Sequence, residues 1–499
     1  MYYMGIDCGT QGTKAVVFNS DTGMVIGKGY ARHNIIADDT GRREQEAQWW
    51  IDAMVQAVRG AVKNAGIKGA DIKALAVSGQ QHGLVVLDEQ GRTLRPVKLW
   101  NDTSTASQNA ALVRESGGLG GVWKILGSTL AVGYTASKVR YIVEKEPNLY
   151  RKVRHVLLPH DYLNFYLCGN YVTDGSEASG TGYYDVKNRR YSAEMIHRID
   201  PSGILEKAVP PVYSWKVPAG TLRKEATEAL GLSPATLVGC GGGDNTMGVL
   251  GTGAITEGAC SMGLGTSGTI AVLSPFMGTG IDEAIQIYEV LDDKWLITTC
   301  SLNATSATTV VQELFGLSVE ELDAAIMKAS PGSGGVRVIP YFDGERVPAI
   351  PSAQALFQNL TSLNCKKENI IRATVESVSL NLRWGLDKIT RSFPAPQKLV
   401  VTGGGANSAP WRQIVGDVFD MTVHCLQSDE GGALGAAIQA LYLHQIQTGN
   451  KLTLQELCDT YILYDPGKET HPIRKNVELY QDLLGSYKGE VKKEWGIDT

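Results

Sequence analysis

This sequence predicts a two-domain α/β protein, and three observations carry the prediction. At 499 residues the chain exceeds what one ordinary hydrophobic core supports. Short apolar, β-branched runs alternate with stretches of helical periodicity, the pattern of strands joined by helices. The string Gly-Thr-x-Gly-Thr occurs twice, about half the chain apart, at Gly9-Thr10-Gln11-Gly12-Thr13 and Gly265-Thr266-Ser267-Gly268-Thr269. Each copy is a Gly/Thr turn between two strand-like runs, so the two halves read as related. Glycine lets a backbone approach a ligand closely, and turn amides and threonine hydroxyls can donate to phosphate oxygens. Two such loops facing each other would clamp a nucleotide.

The elements follow in chain order. Residues 1 to about 30 read as strand, turn, strand, turn, strand, with Asp21-Thr22-Gly23 at the second corner. An amphipathic helix opens at Glu46-Ala47-Gln48-Trp49-Trp50 and runs through Val62, placing Trp50, Met54, Val58 and Val62 on one face. A strand over Ile72 to Ser78 ends in Gly79-Gln80-Gln81-His82-Gly83, and another over Leu84 to Leu87 leads on to Trp100-Asn101-Asp102. Residues 103 to 235 are mixed helix and loop without a clean repeat. A boundary falls between Gly253 and Ala259, giving domains over 1–255 and 256–445 and a polar, helical extension over 446–499. The second half carries a strand at Trp295 to Thr299, helices at Thr305 to Leu314 and Glu368 to Ile389, and a strand at Leu399 to Thr402. That last strand runs into Gly403-Gly404-Gly405-Ala406-Asn407, with a helix from about Pro410.

Composition narrows the function classes. A net charge of −5 and the lack of any Lys/Arg-rich block argue against nucleic acid as a partner. No run approaches bilayer-spanning length, and no signal segment precedes the first strand, so no membrane partner is expected. The eight cysteines are scattered, with no CxxC and no Cys/His cluster, which favours a reducing cytoplasm. Glycine, at 57 residues, exceeds the usual ~7% and is concentrated in clusters that read as ligand-approaching loops.

Several motifs carry chemistry. Gly263-Leu264-Gly265-Thr266-Ser267-Gly268 formally matches the dinucleotide fingerprint, but a helix should follow it and Thr269 to Leu273 is strand-like. A hairpin-borne phosphate loop fits better, and no Walker A pattern is present. Gly241-Gly242-Gly243-Asp244-Asn245 is the strongest catalytic candidate. An Asp opening a helix is commonly an N-cap, yet three glycines clearing space around Asp244 favour a carboxylate open to substrate. Asp7 is the other carboxylate beside a phosphate loop; it is either a metal-orienting group or a strand-end turn residue. Gln81 and His82 place an amide and an imidazole at a strand's C-terminal end, where open α/β sheets carry ligands. His82 reads as positioning rather than proton-transferring. Trp100 and Asn101 supply an apolar face and a polar contact, with core packing of the Trp the alternative.

Taken together, the set resembles the actin-like sugar kinases. Asp7 to Lys14 is similar to their first phosphate motif, Leu264 to Gly268 to their second, and Thr402 to Asn407 to their adenosine motif. Gly242-Gly243-Asp244-Asn245 resembles the segment carrying the catalytic aspartate of the FGGY carbohydrate kinases, and further similar stretches lie at Ile339 to Pro348 and Gly432 to Ala437. The resemblance runs from residue 4 to about 440. It implies two ribonuclease-H-like (actin-like ATPase) domains, each a mixed five-stranded sheet flanked by helices, with a catalytic cleft between them. It also implies ATP and Mg²⁺ as cofactors and a small sugar as substrate. Asp244 would be the base and Asp7 the metal-orienting group. Thr10, Gln11, Gly12, Lys14, Gly265 and Thr266 would cradle phosphates, and Gly404, Gly405 and Asn407 the nucleoside. Gln81, His82, Trp100, Asn101, Asp244 and Asn245 would meet the sugar.

Within the family, Ser78 to Gly83, Leu99 to Asp102, Leu157 to Leu163 and Asp174 to Thr181 are most similar to xylulokinases, which implies D-xylulose as substrate and D-xylulose 5-phosphate as product. Xylulokinases usually carry Met-His at Gln81-His82 and Lys-Asp at His160-Asp161, and the C-terminal family signature usually has Gly where this chain has Asn359. Gln81 adds hydrogen-bonding capacity, so another ketose, a pentitol or a sugar acid such as gluconate stays open. Glycerol kinases carry an Arg-Glu pair at that strand end, which disfavours glycerol. An actin-like ATPase and a silent sugar sensor are the readings of other classes, and a homodimer through the second domain stays open.

Overall fold

The computed structural model describes residues 1–278, 282–291, 293–428, 430–450 and 452–497. The chain enters as β1 (Tyr2–Cys8), turns back into β2 (Gly12–Asn19) and continues into β3 (Met24–Arg32), all antiparallel. Gly9 N–H closes the first turn on the Gly12 carbonyl at 3.0 Å, and Gly23, at φ 70°, closes the second on Asn19. Helix α1 (Ala47–Ala65) lies on one face of this meander, burying Trp50, Met54 and Val58 as its periodicity predicts, with Val62 only partly covered. β4 (Ile72–Gly79) then runs parallel to β1. Beyond it come α2 (Thr135–Lys145) and α3 (Pro159–Cys168), then the short strands β5 (Gly220–Thr221), β6 (Leu237–Val238) and β7 (Gly242–Gly243). The sheet order is β5-β6-β4-β1-β2-β3, with β7 also on β4. The first half ends in α4 (Asp244–Gly251).

The second half repeats the plan. β8 (Ala259–Leu264), β9 (Gly268–Ser274) and β11 (Lys294–Ser301) form the antiparallel meander, and β10 (Gln286–Val290) adds an edge outside β11. After α5 (Lys367–Thr390), β12 (Lys398–Thr402) runs parallel to β8; after α6 (Ala409–Phe419), β13 (Val423–Cys425) runs parallel to β12. The order β10-β11-β9-β8-β12-β13 matches the first sheet strand for strand over five positions. Each domain therefore holds the expected five-stranded mixed sheet, and each gains an edge strand, β5 or β10, that the sequence reading did not anticipate. The Gly265 turn is hairpin-borne, flanked by strands on both sides, which disposes of the dinucleotide fingerprint.

A last helix pair joins the halves. α7 (Gly431–Gln447) follows β13, yet it packs across α4 and against β1 and β4 of the first domain. The approach is backbone to backbone: a Cβ on Gly5 would run into the Ala433 carbonyl, one on Gly251 into Gly431, and one on Gly435 into Met247. Tyr3, Val16 and Phe18 of one sheet and Ala271, Leu273 and Val400 of the other share a core with this helix pair. α7 is consequently buried on nearly all sides, which explains its Gly/Ala-rich sequence. The terminal α8 (Arg474–Trp495) seats Tyr480 and Tyr487 in the second core, where Tyr480 hydroxyl donates to Glu376 at 2.7 Å and Arg372 donates to Tyr480 at 3.0 Å.

Candidate active site

A pocket opens between the domains. The first domain lines it with Gln81, His82, Trp100, Tyr134, Asp244 and Asn245; the second supplies Ser267, Thr269, Gln286, Thr298, Cys300 and Arg346. The first wall is built at the C-terminal end of β4. His82 sits at φ 64°, an uncommon conformation for a non-glycine residue. It is held there by α2: Lys138 ammonium donates to its carbonyl at 2.6 Å and to Gly133 at 2.5 Å, and Thr135 hydroxyl adds a third contact at 3.2 Å. The ring stacks on Tyr134, 4.4 Å between centroids, and its Nδ1 lies 2.7 Å from the Gly180 carbonyl. A carbonyl can only accept, so Nδ1 carries the proton and Nε2 is an acceptor. Burial, with Lys138 adding to it, pushes the His82 pKa down to about 3, so the imidazole is neutral. Burial likewise lowers Lys138 to about 7, against the pull of Asp102.

Gln81 is buried beside it. Its carbonyl oxygen accepts from Asn245 Nδ2 at 2.9 Å, while its amide nitrogen is buried without a partner. Gly243 is required here, because a Cβ at that position would collide with the Gln81 amide. The indole N–H of Trp100 donates to Thr10 Oγ1 at 2.9 Å, and Thr10 donates on to Gln80 at 3.2 Å. Gln80 and Gln45 continue the network back to the Thr10 carbonyl. The first Gly/Thr loop and the pocket wall are thus one hydrogen-bonded unit. Asn101 does not line the pocket, and its buried Oδ1 has no partner. Asp102, just beyond, is a structural ion-pair partner of Lys98 at 3.3 Å.

The two carboxylates lie at the base. Asp244 is the first residue of α4, not its cap, and accepts only from the adjacent Asn245 N–H at 2.7 Å. It is half-buried and faces the pocket; loss of water, then the nearby charge of Asp7, pushes its pKa up to about 7. Asp7 ends β1, where Ser78 hydroxyl donates to it at 2.8 Å. Burial raises its pKa as well, opposed by Ser78 and Lys14. Gly432 of α7 packs on this carboxylate: a Cβ there would lie 3.0 Å from it, so the Asp7 side chain would have to give way. Lys14 is exposed and pairs with Glu430 at 3.3 Å, and Gln11 is exposed at the loop tip.

The second loop is stapled to the helix over Thr305–Leu314: Thr305 N–H donates to the Gly265 carbonyl at 2.9 Å, and Ala304 and Ser306 N–H both donate to Thr266. Gly403 and Gly405 lie against Leu264 and Gly265, so the third glycine motif abuts the second loop. Around Gly404 a Cβ would meet nothing within 4 Å, which leaves backbone facing open space. Asn407 accepts from Lys468 Nζ at 3.0 Å.

Two of the sequence departures gain a physical account. His160 lies outside the pocket, buried below the sheet end, with Nε2 2.5 Å from the Cys240 carbonyl and Gly79 and Gly241 packed on it. Asn359 sits at φ 59°, where Asn is the side chain best able to replace glycine. Sequence reasoning missed Tyr134, Lys138 and the second-domain wall of Thr269, Gln286, Thr298 and Cys300. Thr298 and Cys300 share one face of β11 by strand alternation, but no local signal says that face borders a cleft. Arg346 lay within a stretch already singled out, without a role.

Comparison with known proteins places the architecture. The model for the FGGY carbohydrate kinase N-terminal domain matches residues 2–251, and that for the C-terminal domain matches residues 261–444. A xylulose kinase of Haemophilus influenzae is 38% identical over 97% of this chain and 98% of its own. One of Escherichia coli is 32% identical over 97% and 99%. The crystal structure of a xylulose kinase from Bifidobacterium adolescentis, 29% identical, superposes with a TM-score of 0.80 over 97% of this chain and 99% of that one. Among the described residues no helix is long and apolar enough to cross a membrane. With both family models matched in order across nearly its whole length, the chain belongs to the FGGY family of carbohydrate kinases.

Proposed function

We propose that this kinase transfers the γ-phosphoryl group of ATP to the terminal hydroxyl of D-xylulose, giving D-xylulose 5-phosphate and ADP. One observation carries the reading: Asp244 and Ser267 of the second phosphate loop line a single pocket with Gln81, His82 and Asn245. The sugar oxygen forms a bond to the γ-phosphorus as the bond to the bridging oxygen breaks, and Asp244 takes the hydroxyl proton. A base with a pKa near 7 suits that task at neutral pH. His82, kept neutral, offers Nε2 to a sugar hydroxyl, with Gln81, Asn245 and Trp100 completing the wall.

The first loop (Thr10, Gln11, Gly12, Lys14) and the second (Gly265, Thr266) hold the phosphates in this reading. The Thr10 hydroxyl proton is committed to Gln80, so backbone amides and the Lys14 ammonium do the cradling on the first side. Gly404, Gly405 and Asn407 take the nucleoside, where the open space at Gly404 fits a flat ring. Among the described residues no three His, Cys, Asp or Glu side chains converge to hold a metal. Mg²⁺ needs no such cage, because it keeps its waters and is held by one or two carboxylates plus substrate phosphates. Asp7 fits that requirement, and the bound ion would neutralise charge on the transferring group. Eight free cysteines support a cytoplasmic setting.

A second reading, another ketose, a pentitol or a sugar acid, is favoured by one feature: the unpartnered Gln81 amide nitrogen, a donor that Met would lack. ADP release from Mg·ATP across D-xylulose, D-ribulose, pentitols and D-gluconate separates the readings. Strong stimulation by D-xylulose above a no-sugar blank supports the first; preference for another compound overturns it. In Gln81→Met, D-xylulose turnover is retained, and any response to the other compounds falls roughly tenfold, the cost of one lost hydrogen bond.

Lys138 supports the same wall from behind. Lys138→Met removes the N–H···O contact that holds the His82 carbonyl, and with it the contact that ties the same ammonium to the Gly133 carbonyl. The sugar KM rises roughly ten- to a hundredfold while the ATP KM stays put, as expected when a positioning contact is lost. An equal rise in both would point to a general folding defect instead.

A further inference from the structure

A neutral sugar does not account for everything in the pocket. Arg346 is the one fixed positive charge among the described residues lining it, since His82 is held neutral. It belongs to the short hairpin of Glu345–Arg346 and Ala349–Ile350 in the second domain. Its neighbour does not neutralise it. Glu345 is buried and its carboxylate is occupied by other donors, accepting from Ser301 at 2.7 Å, the Leu302 N–H at 2.9 Å, Asn303 at 3.1 Å and the backbone N–H of Arg346 at 2.7 Å. Asn303 also donates to the Gly344 carbonyl at 2.7 Å, so both ends of this junction are pinned to the end of β11. Arg346 thus lines the cleft beside Cys300, with His82 and Tyr134 on the opposite wall of the same pocket.

The electrostatics of the reaction give this charge a purpose. Phosphorylation next to Asp244 creates a phosphate monoester beside two carboxylates, Asp244 and Asp7, in a water-poor site where like charges repel strongly. Hydroxyls are served by the amides and the imidazole already present. A guanidinium fork, by contrast, matches a phosphate bidentately and stays charged at every relevant pH. We infer that Arg346 forms a phosphate-monoester subsite, holding the phosphoryl group once it is on the sugar and coupling phosphate recognition to approach of the second domain. The inference rests on the sugar-kinase reading above.

The test compares binding of D-xylulose and D-xylulose 5-phosphate to the full-length wild type, Arg346→Gln and Arg346→Lys, followed by isothermal calorimetry, with melting curves to verify folding. Arg346→Gln weakens the sugar phosphate at least tenfold and changes D-xylulose less than threefold. Arg346→Lys, which keeps the charge without the fork, falls between and carries the comparison if the Gln variant does not fold. Equal weakening of sugar and sugar phosphate, or no change in either, overturns the subsite while leaving the kinase reading intact. Loss of D-gluconate binding with the sugar phosphate unaffected also overturns it, by assigning Arg346 to a substrate carboxylate. Failure of D-xylulose and its phosphate to bind the wild type overturns both readings.

Discussion

Asp244→Asn lowers kcat by about 10²–10⁴, the usual cost of removing general-base assistance. The substitution keeps the shape of the side chain and an oxygen to accept from the Asn245 N–H, so sugar KM moves little. Wild-type kcat/KM should carry an acid limb from the same group. With the Asp244 pKa pushed up to about 7, the carboxylate is protonated and inactive below that pH. Activity therefore climbs tenfold per pH unit and levels off above about 7. The Asp7 charge is the second cause of that elevation, so Asp7→Asn moves the limb of the residual activity to lower pH. Stopped assays of ADP release from pH 5 to 9 read both effects. Near-wild-type turnover in Asp244→Asn would remove this residue from the chemistry; a limb unmoved in Asp7→Asn would mean that burial alone sets its pKa.

The glycines before Asp244 draw attention to it as a carboxylate with space around it, and the structure does place it in the pocket, but the space they leave is taken by neighbouring side chains. Each of the three glycines before it has a structural reason. Gly241 adopts φ 75° and packs on His160, Gly242 packs on Met247, and Gly243 makes room for Gln81. The duplicated Gly/Thr hairpin made the two-domain plan legible, since a turn of one type between strands of one type constrains backbone locally. The opposite wall was not legible. Thr298 and Cys300 look like any half-buried strand residues, and only the tertiary placement of β11 turns them toward Asp244. Lys138 falls in the stretch that reads only as mixed helix and loop, and nothing local marks it out, yet it is fully buried with two carbonyl acceptors. The edge strand β5 escaped for another reason: it is two residues long, too short for alternation to register. The string over Gly432 to Ala437 was noticed, but a helix buried on every side has no periodic polar face to announce what it packs against.

That helix gives the second large effect, and a paired control makes it specific. Gly435→Ala on α7 drives a methyl group into the Met247 carbonyl of α4, where the neighbour is backbone and has no rotamer to escape into. Overpacking of this kind costs about 1–3 kcal/mol, occasionally more. The cost does not stop at stability, because the same crossing sets the position of both carboxylates. α4 begins with Asp244, and Gly432, one turn before Gly435, lies against Asp7. Separating the helices shifts Asp244, the proposed base, relative to Asp7, the proposed metal-orienting group, so kcat should fall along with the melting temperature. Gly248→Ala on α4 is the control. A Cβ there meets nothing within 4 Å, and Ala is the better helix former by roughly 0.8–1 kcal/mol. The two substitutions are chemically identical and lie on touching helices, yet they should move the denaturation midpoint in opposite directions. Matching destabilisation by both would mean that general crowding around the helix pair, not the specific backbone contact between α4 and α7, governs this joint.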